Sequence, residues 1–146
     1  MAERVADALR LMARDDEDLA VLSMVLQDAL ISVSEMAYVP DEQRFVLVAN
    51  RFRWEPPIDG PRKNFERRHA GLSISGITAV KRRGFSLADR DRILVLLAIR
   101  SVPGGLQLDF AGEASIRLEA GEIICHLDDL SESWPTRWRP QHPLGN

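Results

Sequence analysis

The sequence is poor in the residues on which catalysis and metal binding most often rest: its 146 residues include one cysteine, one tyrosine and three histidines. Cys125 has no partner for an internal disulfide, and no CxxC or Cys/His pair at metal-ligand spacing accompanies it. A reducing compartment is favoured, and the chain is read as cytoplasmic. Long apolar runs are also missing. The longest nearly uncharged one, Ile93 to Ile99, is too short to cross a bilayer, so no membrane span is expected. The opening MAERVADALRLMARDDEDLA has no uninterrupted apolar stretch after a basic start, so it is not read as a secretory signal. Positive charge is not in excess: Lys+Arg 19 against Asp+Glu 22 gives a net −3, which disfavours generic nucleic-acid binding. The phosphate-cradling patterns GxGxxG and GxxxxGK[ST] are absent, and Gly104-Gly105 reads as a turn.

What is present is a globular composition, 45% hydrophobic and 28% charged, in a length suited to one core. A single domain over residues 1–146 is expected, with 1–8 and 135–146 as tails and 55–70 as a long loop. Leu19, Leu22, Val25, Leu26, Ala29 and Leu30 recur at three- and four-residue intervals, which predicts a helix within Asp15 to Leu30. Asp15 or Asp16 is its N-cap, and Glu17 and Asp18 suit the positive end of its dipole. Before it, Leu9, Leu11 and Ala13 alternate with Arg10, Met12 and Arg14 as in a short strand.

Further on the period changes. ISVSEMAYV, a VPDEQ turn and RFVLVANRFRWE read as a hairpin, and PPIDGPRKN cannot continue a ladder. Leu72, Ile74, Ile77, Ala79 and Val80 give a strand in which Gly76 marks a change of phase, the sign of a bulge. Ile93 to Ile99 is read as a strand covered on both faces or a central one. Leu106, Leu108, Phe110, Ala114, Ile116 and Leu118 alternate with polar residues around Ala111-Gly112-Glu113, a hairpin with one oily face. After Gly121 the spacing of Ile123, Leu127, Leu130 and Trp134 predicts a closing helix stopped by Pro135, with Asp128-Asp129 on its solvated face.

The expected class is therefore α+β: a mostly antiparallel, bent sheet of six or seven strands with one early helix and a closing C-terminal helix. That order resembles the pleckstrin-homology-like barrel, in which Trp134 would match the tryptophan of the closing helix; the likeness is one of fold and implies no function.

Nothing in the pattern assigns a catalytic residue, a metal ligand or a cofactor. His126 adjoins Cys125, but neighbouring positions of a helix do not face each other. The feature that stands out is cationic and aromatic. Arg51 and Arg53 alternate with Phe52 and Trp54, PRKNFERRH supplies Arg62, Lys63, Arg67 and Arg68, and Lys81, Arg82 and Arg83 end the next strand. Arginine forks suit oxyanions, and aromatic rings stack on guanidinium groups. The plainer reading is that these charges keep loops and strand edges soluble.

Several segments in order (LxxxDxEDLAVLSxxLQDAL, FVLVANRFRWE, RRHAGLSISGITAVKRRG, LLAIR, DFAGEASIRLEAGEI, HLDDL and TRWRP) resemble a bacterial family of single-domain proteins of unknown function. The resemblance covers nearly the whole chain and implies no activity, cofactor or catalytic residue.

Two functions of different class follow. The first is a non-enzymatic binding or scaffold module that meets a protein or anionic partner through the basic-aromatic surface. The alternative is a small enzyme or small-molecule binder with a pocket between closing helix and sheet. Homo-oligomerisation is left open.

Overall fold

The computed structural model describes residues 9–52 and 67–130. Eight strands and one α-helix follow in the order β1 (Arg10–Ala13), α1 (Asp16–Val25), β2 (Leu30–Ser32), β3 (Met36–Val39), β4 (Arg44–Phe52), β5 (Arg67–Arg83), β6 (Ile93–Val102), β7 (Gly105–Phe110) and β8 (Ala114–Asp129). The pairings β8–β5–β4–β2–β6–β7 close on themselves because β7 also pairs β8. The result is a closed six-stranded antiparallel barrel, with β1 added along β8 and β3 along β4. Closure gives each strand of the circuit two neighbours, but beyond Ser75 the arm of β5 has no strand among the described residues on its β4 side.

The α+β class with a pleckstrin-homology-like sheet and a closing C-terminal helix is therefore overturned. The segment expected to be that helix is the second half of β8. Its apolar spacing fits a helix, but pairing with β1 on one edge and β5 on the other outweighs local periodicity. Cys125 and Leu127 face the core at the two-residue period of a strand, and Asp129 continues their phase with a buried side chain. A charge in an inward position disguises the alternation. Trp134 lies outside the described residues.

Other elements follow the sequence closely. Asp15 caps α1, its carboxylate accepting the Asp18 N–H at 2.8 Å, with Asp16, Glu17 and Asp18 in the first turn. Leu19, Leu22 and Leu26 of the helical region enter the core, and the Ser23 hydroxyl accepts the Ile99 N–H. The β7–β8 hairpin buries Leu108, Phe110, Ile116 and Leu118 as its alternation requires. The expected first hairpin is realised as β3–β4, while β2 is set off by a 3-10 turn at Val33–Glu35 and pairs β6 and β4. In β6, Ile93 and Leu97 are 51% and 47% exposed, so this strand is not covered on both faces. β5 begins at Arg67, inside the stretch expected to be loop.

The bulge at Gly76 divides the barrel wall. Register shifts flank Ile77, Gly76 has φ +90°, and a Cβ there would collide with the backbone carbonyl oxygen of Glu122. Before the bulge β5 lies between β4 and the second half of β8; beyond it, Ile77 to Arg83 pairs only the first half of β8. In step, β8 changes its other partner from β7 to β1. Gly76→Ala is therefore expected to cost about 3 kcal/mol or more, combining left-handed strain with a backbone collision. Gly112→Ala, at φ +79° but with nothing within 4 Å of an added Cβ, should cost about 1 kcal/mol. Urea denaturation of the two variants checks the difference; equal losses would contradict it.

Candidate functional site

The described residues of the cationic and aromatic sequence fall into two groups in space. Arg53, Trp54, Arg62 and Lys63 lie outside the described residues. Arg51, Arg67 and Arg68 stand where β4 ends and β5 begins, while Lys81, Arg82 and Arg83 stand at the far end of β5. That strand has 17 residues, on the order of 50 Å of strand path. The bulge lies between the two groups, so the described arginines and Lys81 do not make one cluster.

Arg51 continues the inward phase of Phe45, Leu47 and Ala49. Its side chain is 0% exposed and meets Asp129, 1% exposed, through two parallel bonds: Nε to Oδ1 at 2.9 Å and Nη2 to Oδ2 at 2.8 Å. Nη1 donates to the Phe52 carbonyl. A guanidinium so held is a structural group and does not line a solvent face. Arg67 is half-buried: it stacks on Phe52 with 4.0 Å from Cζ to the ring centroid, and donates to the Asn50 side chain at 2.8 Å and to the Asn50 carbonyl. The expected pairing of cation and aromatic ring thus exists, but inside one strand pair. Arg68 lies directly across from Arg51 and is also half-buried.

At the other end Lys81, Arg82 and Arg83 are exposed. Lys81 pairs Glu119 at 3.0 Å, and this hydrogen bond together with the ammonium charge holds the Glu119 carboxyl below its ordinary pKa. Among the described residues no carboxylate pairs with Arg82 or Arg83. Beside them a cleft of about 250 Å³ is lined by Met36, Tyr38, Phe45, Val80, Leu87 and Ile116, with Arg82 at its rim. Composition could not reveal this cleft, because it joins β3, β4, β5, β8 and the segment after β5.

Other chemistry-bearing groups do not assemble. On the outer wall Ser73 stands directly across from His126, and Asp128 follows two positions along, in a groove also lined by Arg10 and Arg44. No hydrogen bond joins serine to imidazole, and the Asp128 Oδ1 is taken by the Arg10 guanidinium at 3.1 Å. The described residues include no group of three or more His, Cys, Asp or Glu able to hold a metal ion. No helix among them is long and apolar enough to cross a membrane. Burial pushes the Cys125 thiol up to about 12 from 9.0, so it stays protonated and weakly nucleophilic.

That shift has a consequence at high pH. The folded thiol resists ionisation while the unfolded one ionises near 9, so this contribution to stability is full below 9 and declines as pH rises toward 12. Relative to Cys125→Ala, the native chain should lose about 1.4 kcal/mol by one pH unit above the unfolded value. Denaturant midpoints measured across that range check it, and parallel curves for the two proteins would contradict it.

Comparison with curated proteins gives no match, and comparison with solved structures gives none. Comparison with protein families gives one that covers residues 9–142, from the start of β1 past the end of β8, with the description "Protein of unknown function (DUF2948)". The chain belongs to that family.

Proposed function

We propose that the protein is a non-enzymatic binding module that meets an anionic partner at the Lys81–Arg83 end of β5. The observation that carries this reading is the end of β5: Arg82 and Arg83 are exposed and have no carboxylate partner among the described residues, and Arg82 lines an apolar cleft. Guanidinium groups free of intramolecular acid keep their bidentate donors for a ligand. Binding rather than turnover is supported by the side-chain-filled interior of the barrel and by the protonated, buried Cys125. The alternative pocket between closing helix and sheet has lost a wall, since 114–129 is a strand.

Heparin serves as a generic polyanion probe. Binding at low salt should weaken steeply as salt is raised and be lost in Arg82→Ala/Arg83→Ala, whereas Arg67→Ala, removing a guanidinium already engaged by Asn50 and Phe52, should leave it unchanged. Isothermal titration or fluorescence anisotropy reads the outcome. Absence of binding at low salt, or binding indifferent to Arg82 and Arg83, would overturn the proposal.

A further inference from the structure

We propose that the free edge of β5 and the cleft beside it take an extended acidic polypeptide by strand addition, with one apolar side chain of that segment seated in the cleft; this rests on the anionic reading of the same rim.

The backbone supplies the first argument. β4 stops pairing β5 at Ser75, and from Ile77 to Arg83 only β8 is hydrogen-bonded to it. At the start of this arm the unpaired edge is still served, because the Ile77 N–H donates to the Gln43 carbonyl and the Tyr38 hydroxyl donates to the Ile77 carbonyl. Beyond that point no other strand among the described residues lies on this edge. In an antiparallel ladder alternate residues direct N–H and C=O away from their partner, so the arm from Ala79 to Arg83 offers a template for one more strand.

The cleft supplies the second. Its volume of about 250 Å³ is lined by apolar side chains including Met36, Phe45, Leu87 and Ile116. That is below the ~300 Å³ at which sites for drug-sized ligands begin, and suits a single large apolar side chain. Strand addition draws affinity from main-chain bonds and specificity from pockets for alternate side chains, and here edge and pocket adjoin at Val80 and Arg82.

Charge supplies the third. Lys81 and Arg117 share the single carboxylate of Glu119, and Arg82 and Arg83 meet no carboxylate among the described residues, so acidic residues flanking the apolar anchor are the complement of this surplus positive charge. A second copy of this edge is a poor occupant, because antiparallel self-pairing would bring Lys81, Arg82 and Arg83 against their own kind. Charges that served only to keep copies apart would need no apolar cleft beside them.

Three short synthetic peptides test this against the full chain by fluorescence anisotropy: an acidic Glu/Ser peptide, the same peptide with one central Leu, and the Leu peptide N-methylated at alternate backbone positions. The Leu peptide should bind roughly tenfold or more tightly than the Leu-free one, as burial of one such side chain requires. N-methylation should abolish most of the binding, and exchange of the amides from Ala79 to Arg83 should slow when the Leu peptide is bound. Leu87→Ser should bring the Leu peptide down to the level of the Leu-free one. Equal binding of all three peptides would overturn strand addition while leaving the anionic rim standing. Binding by none of them and none by heparin would overturn both.

Discussion

One carboxylate holds together three strands that the chain visits at its beginning, middle and end. Asp129 of β8 receives both forks of Arg51 from β4, across β5, and its Oδ2 also accepts the Leu9 N–H at the start of β1. The backbone repeats the tie, with the Asp129 N–H donating to the Leu9 carbonyl and the Leu130 N–H to the His69 carbonyl. Taking two charges out of water costs several kcal/mol per ion, so such a pair persists only where geometry and added hydrogen bonds offset the loss. Those conditions are met here: parallel bonds at 2.8 and 2.9 Å, Nη1 on a carbonyl, and an N–H on the carboxylate. The pair fixes β8 as a strand to its last residue, and it converts the first arginine of the cationic sequence into a structural element.

The molecule is thereby polarised along β5. One end is a closed junction in which Arg51 and Arg67 are both engaged, and the other is an open arm whose arginines meet no acid among the described residues. Gly76 separates the two, because its left-handed conformation lets the wall bend where β8 exchanges β7 for β1. The same bend strips β5 of its β4 partner and leaves the arm beside the cleft. The features from which we read a partner are thus produced by the device that closes the barrel.

Much of this was legible in the chain wherever a local rule and the tertiary outcome agree. The alternation from Leu106 to Leu118, the phase change at Gly76 and the Asp15 cap each depend on neighbours within a few residues. What was not legible depends on pairing at long range. Ile123, Leu127 and Leu130 keep helical spacing, and only the edges offered by β1 and β5 make that segment a strand. Arg51 follows Phe45, Leu47 and Ala49 in strict alternation, yet an inward arginine is intelligible only once Asp129, 78 residues away, stands opposite. The cleft at Arg82 draws its lining from separate strands and has no linear signature.

That Arg51 acts in the fold and not on a partner is tested most directly by a double-mutant cycle read through urea denaturation. Arg51→Met and Asp129→Leu should each cost about 3–5 kcal/mol, because each leaves an uncompensated buried charge, and the double variant should cost far less than their sum. Costs of under about 1 kcal/mol for each single change, adding in the double, would describe an exposed and weakly coupled pair and would contradict the account.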